Sequence, residues 1–276
     1  MTQATTPRPQ LFDRSAIAAH RNRLTPEALF LHDIARDEIE DRLSMVNKTF
    51  NRPALVAPFA EGWESCLPHA KHVADDDTLD LEVGSHDLVV HAMSLHWAND
   101  PVGQLIQCHR ALTEDGLLLV LMLGGQTLNE LRSALATAET QLSGGLSPRV
   151  APMGEVRDLG ALLQRAGFAL PVADVVPLTA KYRDLLHLMQ ELRGMGETNA
   201  LAQRQKGATP RRLFNKAEEI YRETYATDDS LLPATFELIC LTGWSPSENQ
   251  QKPLRPGSAK ARLADALKVP ETPLPK

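Results

Sequence analysis

Two apolar runs separated by one amphipathic stretch constrain this chain more than any other feature. Leu88 to Met93 and Leu117 to Leu123 are almost continuously hydrophobic, the pattern of strands buried on both faces. Between them, Asn99 to Leu112 carries Val102, Leu105, Ile106 and Leu112 at helical spacing, and Glu114-Asp115-Gly116 reads as the turn. Strand, helix, turn and strand predict a parallel crossover in an open α/β sheet. Ligands in such sheets bind beyond the carboxyl ends of the strands. Here those ends are Ser94 to Asn99 and Gly124 to Thr127.

The remaining segments arrange themselves around that unit. Residues 1–10, with Pro7 and Pro9, predict a mobile arm, and helical spacing from Asp13 to Leu43 breaks near Thr25-Pro26. Ala54 to Ala57 predicts a first strand, Trp63 to His69 a helix, and Lys71 to Ala74 a short strand closed by Asp75, Asp76 and Asp77. Beyond the crossover come helices over Leu128 to Leu142 and Val156 to Ala166, and an edge strand over Leu178 to Tyr182. A helical insertion over about 184–230 is interrupted at Gly194 to Asn199, and Ala234 to Leu241 is a final strand. We expect one domain over 11–245 and a loosely packed Pro/Lys-rich tail over 246–276.

Composition removes several classes of function. Lys plus Arg number 29 against 35 for Asp plus Glu, and a net charge of −6 offers phosphate backbones no general attraction, so nucleic acid is not expected. Cys66, Cys108 and Cys240 form no C-x-x-C pair, which suits a reducing compartment. The apolar run Gly116 to Gly125 is too short for a bilayer, and no signal-peptide core opens the sequence, so a cytoplasmic protein without stable membrane insertion is expected. His86, His91 and His96 recur every five residues, which alternates faces on a strand, and His69, His72 and Asp75 read as a polar turn. No metal site is therefore predicted. No His-x-Asp or His-x-Glu pair, serine elbow or P-loop occurs.

A family resemblance emerges from the motifs. Asp87-Leu-Val-Val-His-Ala-Met-Ser-Leu-His-Trp-Ala-Asn-Asp100, followed by Leu112-Thr-Glu-Asp-Gly-Leu-Leu118, resembles strands four and five of class I methyltransferases. Gly124-Gly-Gln-Thr-Leu-Asn-Glu-Leu-Arg132, Gly144-Gly-Leu-Ser-Pro148, Arg165-Ala-Gly-Phe168, Gly194-Met-Gly-Glu-Thr-Asn199, Pro233-Ala-Thr235 and Gly243-Trp244 narrow it. Together with Leu11-Phe-Asp-Arg14, Asp158-Leu-Gly160 and Arg255-Pro-Gly-Ser-Ala259, they are similar to the methyltransferase-like assembly factors of respiratory complex I. That family is associated with arginine hydroxylation of a complex I subunit; the malonyl carrier-protein methyltransferases of biotin synthesis are more distant. The resemblance implies a Rossmann-like class I methyltransferase fold, a complex I subunit as protein client, and a position peripheral to the inner membrane through that partner. The alternatives are an active methyltransferase or arginine hydroxylase, and a small-molecule binding module.

The resemblance also implies S-adenosylmethionine as cofactor, and here the sequence departs from the pattern. Where the family has a glycine-rich loop, this chain reads Ala54-Leu-Val-Ala-Pro-Phe-Ala-Glu-Gly62, and only Gly62 survives. Pro58, Phe59 and Ala60 stand where backbone must approach the ligand. The interval from Gly62 to Asp75 is too short for the usual elements, so the second strand and its helix are read as deleted. Gly62, Asp75 and Asp76 are the remaining cofactor-side candidates. Ser94, His96, Trp97 and Asn99 are candidates for the catalytic, substrate-facing pocket. Gly124, Gly125 and Thr127, with Gly194, Gly196, Glu197 and Asn199, are candidates for a substrate or partner loop.

Overall fold

The computed structural model describes residues 10–250. Expectations for residues 1–9 and 251–276 lie outside the described residues. Asp13 caps α1 (Arg14–Arg21) by accepting from the Ala16 amide at 3.1 Å, and a 3₁₀ turn (Pro26–Ala28) leads into α2 (Phe30–Met45). Next come β1 (Pro53–Val56), β2 (Lys71–Val73), β3 (His86–Ala92), a 3₁₀ turn (Leu95–Trp97), α3 (Pro101–Ala111) and β4 (Leu112–Leu123). They are followed by α4 (Asn129–Ser143), α5 (Val156–Arg165), β5 (Ala169–Tyr182), α6 (Leu185–Gly194), α7 (Arg211–Tyr225) and β6 (Leu232–Trp244).

These strands form one six-stranded sheet in the order β2-β1-β3-β4-β6-β5. Strands β1 to β4 are parallel, and β6 runs antiparallel between β4 and β5. The two continuous apolar runs have a direct cause. Leu88, Val90, Ala92, Leu117, Leu119, Leu121 and Leu123 belong to one core with α2, α4, α6 and α7. Val89, Leu118, Val120 and Met122 belong to the other, with α3 and α5. Each buried Leu contributes roughly 1.5–3 kcal/mol relative to exposure. Helices on both faces therefore make every position of these two runs an interior position.

Among the described residues, only one strand lies beyond β1. The three-residue β2 pairs directly with it, Ala54 facing Lys71 and Val56 facing Val73, so the sheet closes over the short interval between them. The helix expected over Trp63 to His69 is absent: turns occupy this segment. Pro68 disfavours helical backbone in the residue before it, and His69 has φ +64°, so a helix has no room to propagate. The edge strand expected over Leu178 to Tyr182 begins much earlier, at Ala169. Pro171 and Pro177 lie within it, and an edge strand tolerates a missing donor on its free side. The turn expected at Glu114 to Gly116 is an irregular stretch at the start of β4, with Asp115 at φ +57°.

Candidate functional site

The carboxyl ends of β3 and β4 bring together residues from distant parts of the chain. Where β3 ends, Ser94 turns inward, within 3.4 Å of His91 Nδ1, and His91 Nε2 donates to Gln104 Oε1 at 2.8 Å. Gln104 Nε2 in turn donates to the Asp76 carbonyl at 3.0 Å. Burial pushes the pKa of His91 down to about 4, so this relay holds a neutral imidazole inside the sheet. Ser94 thus contacts the core, not the cavity described below.

The next turn aims outward. His96 Nδ1 accepts from the Leu123 amide at 3.4 Å, which places its proton on Nε2, 3.2 Å from Glu197 Oε2. Trp97 Nε1 donates to the same oxygen at 3.0 Å. Glu197 lies 101 positions from His96 and reaches it because of how α6 ends. Gly196 adopts φ +80°, and the Glu197 amide returns to the Leu192 carbonyl at 2.9 Å, a left-handed helix stop that turns the next side chain back toward the sheet. Gly194 allows the same loop to lie on Thr25 and Ala28, where a Cβ would come within 2.7 Å of Ala28 Cβ. Burial opposes the charge of Glu197. The His96 imidazole and the two hydrogen bonds outweigh it and hold the carboxyl below its usual range.

A cavity of about 560 Å³ opens beside this cluster, and its lining includes Trp97, Glu197, Thr198 and Asn199 together with Leu123, Leu131 and Leu135. Among the described residues, Glu197 is the only carboxylate lining it. An adjoining cleft of about 780 Å³, lined by Leu11, Arg132 and Leu201, reaches none of His96, Trp97 and Glu197. The smaller cavity is therefore the one that meets the polar cluster.

Other sequence candidates have different work. Asn99 clamps the backbone of Phe12, accepting from its amide at 2.8 Å and donating to its carbonyl at 3.2 Å, and the Phe12 ring packs edge-on to Trp97 at 5.1 Å. Asn199 donates to the Pro148 carbonyl at 2.8 Å and accepts from the Leu201 amide at 3.0 Å. Gly124, Gly125 and Thr127 form a turn bound to β6: Thr127 Oγ1 accepts from the Glu237 amide at 2.9 Å, and Gly125 has φ +51°. The 94–99 and 194–199 segments thus converge, whereas the 124–127 turn is engaged by Glu237.

On the cofactor side, geometry is governed by residues that sequence reasoning missed. Asp75 is buried and gripped by Arg21, whose Nη1 and Nη2 lie 2.6 and 2.9 Å from its two oxygens, with Arg14 at 3.5 Å. Burial opposes its charge, but the Arg21 hydrogen bonds and both arginine charges win and hold its pKa low. Asp76 is largely exposed and lies 3.5 Å from Arg14. Phe59 and Trp63 pack on His32 of α2, at 5.2 and 6.3 Å between ring centres, and Arg36 lies 5.7 Å over Trp63. Gly62 is exposed beside Arg36. Pro58 and Phe59 follow the end of β1, and both carboxylate oxygens of Asp75 face arginine. Nothing at positions 14, 21 or 32 signals these contacts except basic residues on an amphipathic helix face. Among the described residues, no group of three His, Cys, Asp or Glu is placed to hold a metal ion.

Sheet order, helices on both faces and a site at the strand ends define a class I methyltransferase-like α/β protein. A model of a methyltransferase domain matches residues 55–120. A putative methyltransferase from Bacillus halodurans shares the fold, with a TM-score of 0.50 at 11% identity, covering 77% of this chain and 99% of that one. The mitochondrial arginine-hydroxylase NDUFAF5 of Danio rerio is 37% identical over 256 residues, 93% of this chain and 73% of its own. That of Rattus norvegicus is 34% identical over 94% and 69%. A malonyl-[acyl-carrier protein] O-methyltransferase of Laribacter hongkongensis is 35% identical over 67% and 59%. The chain belongs to the methyltransferase-like NDUFAF5 arginine-hydroxylase family.

Proposed function

We propose that the chain is a maturation factor for respiratory complex I that receives a segment of a subunit at the His96–Trp97–Glu197 cluster and no longer uses S-adenosylmethionine in the usual place. The observation that carries the second half is the Asp75 clasp: the acid left on the cofactor side is already neutralised by Arg21 and Arg14. Family membership supports the first half, as does an open cavity beside Trp97 and Glu197. Such a protein acts in the compartment that houses its client, reaching the inner membrane through that partner; no helix among the described residues is long and apolar enough to cross a membrane.

Two measurements test this. Deleting the gene should leave complex I incompletely assembled, and normal assembly would overturn the client reading. Titrating the purified protein with S-adenosylmethionine should give no heat; a low-micromolar Kd, about −8 kcal/mol, would restore a working cofactor site. A second reading, an active hydroxylase or methyltransferase, is favoured by the ordered His96–Glu197 pair beside the cavity. It requires His96→Ala to abolish turnover of a client peptide while leaving the fold intact.

A further inference from the structure

The cavity between α4, α6 and α7 has a polarity that the client reading does not use. Its inner wall is aliphatic: Leu123, Leu131, Leu135 and Leu192 are each buried, and Met189 and Phe214 close the side. Its outer lining is cationic, with Arg149, Arg193, Arg204 and Lys206. Arg149 is committed to Glu139 at 2.6 Å and Arg204 to Asp13 at 3.0 Å. Arg193 and Lys206 are exposed, and neither is in an ion pair among the described residues. Two buried atoms on the lining, Arg149 Nε and Thr198 Oγ1, have no hydrogen-bond partner. A buried polar atom left without a partner is destabilising, so the lining can still take a polar group.

We propose that this cavity binds a free single-chain acyl anion, its chain against the leucines and its carboxylate at Arg193 and Lys206. Charge selects the sign: Arg193 and Lys206 are the lining cations outside any ion pair among the described residues, and Glu197 is already engaged by His96 and Trp97. The arrangement of polarity selects the shape. A ligand with one apolar tail and one charged head matches an aliphatic interior with a cationic mouth. The volume of about 560 Å³ lies within the range of small-molecule pockets. The site shares its floor with the proposed client position but does not depend on that reading. Acyl binding and complex I assembly can therefore fail separately.

The test uses calorimetry on the full chain with sodium decanoate, decanol and decyltrimethylammonium. Decanoate should bind, decanol about tenfold more weakly, and the cation not at all. The double variant Arg193→Gln/Lys206→Gln should weaken decanoate by about tenfold and leave decanol unchanged, and Met189→Trp should weaken both by filling the cavity. The surface variant keeps the test decisive if the core variant fails to fold by circular dichroism. Equal binding of all three amphiphiles, an unchanged double variant, binding only to phosphatidylglycerol vesicles, or binding only to an acidic apolar peptide would each overturn the proposal.

Discussion

Replacing Asp75 by Asn separates a structural clasp from a cofactor anchor. The side chain keeps its shape but loses its charge, leaving Arg21 and Arg14 facing a neutral amide. Removing one partner of a buried ion pair costs roughly 3–5 kcal/mol. The arginine side chains remain 17% and 24% exposed, so water recovers part of that and the expected cost is about 2–3 kcal/mol. In a domain of this size each kcal/mol moves Tm by roughly 2–4 °C, so a fall of about 5–10 °C should appear in a thermal melt. Adding Arg21→Met to Asp75→Asn should recover part of the loss, because the stranded charge is removed with its partner. An unchanged melting temperature would refute the clasp. If S-adenosylmethionine binding disappeared at the same time, Asp75 would instead be a ligand-binding acid.

Three further outcomes follow from the same geometry. Gly196→Ala should cost about 1–2 kcal/mol by denaturant titration, because an L residue at φ +80° is strained and its Cβ would sit 3.1 Å from Leu24 Cδ2. Glu197→Leu should be less stable than Glu197→Gln by about 1–3 kcal/mol, since Gln still accepts from Trp97 Nε1; equal stabilities would show that the bond contributes nothing. His32 and His91 are buried, and burial pushes their pKa values down to about 4 from the ordinary 6.5. The unfolded chain therefore binds more protons between those values, and stability should fall as pH drops from 6.5 toward 4, by about 2 kcal/mol per histidine at pH 5. Replacing His32 with Leu should flatten that slope in denaturant midpoints measured across the range.

What the sequence disclosed follows from which interactions are local. β3, β4 and the core of β6 were legible because burial on both faces leaves a run of apolar letters. β5 was legible only over its last third, because an edge strand exposes alternate residues and accommodates Pro171 and Pro177. The strand-end rule found His96 and Trp97, and the glycines around Met195 drew attention to the loop that carries Glu197. Their meeting could not be read, because it depends on how α6 packs against Thr25 and Ala28 far upstream. The Asp75 clasp was hidden for the same reason: Arg14 and Arg21 are ordinary basic residues of an N-terminal helix until the fold sets them against the end of β2.

The placement of α6 and α7 has an evolutionary consequence. Both lie in residues 183–231, between the ends of two strands that already pair, Tyr182 facing Leu232. The sheet therefore closes this excursion whatever its length, and the entropy of extending it grows only with the logarithm of the added residues. Such a segment behaves as a cassette. Its loops can be lengthened or trimmed while α6 and α7 keep their buried faces on the sheet, so the wall that faces a ligand can diverge faster than the scaffold that holds it.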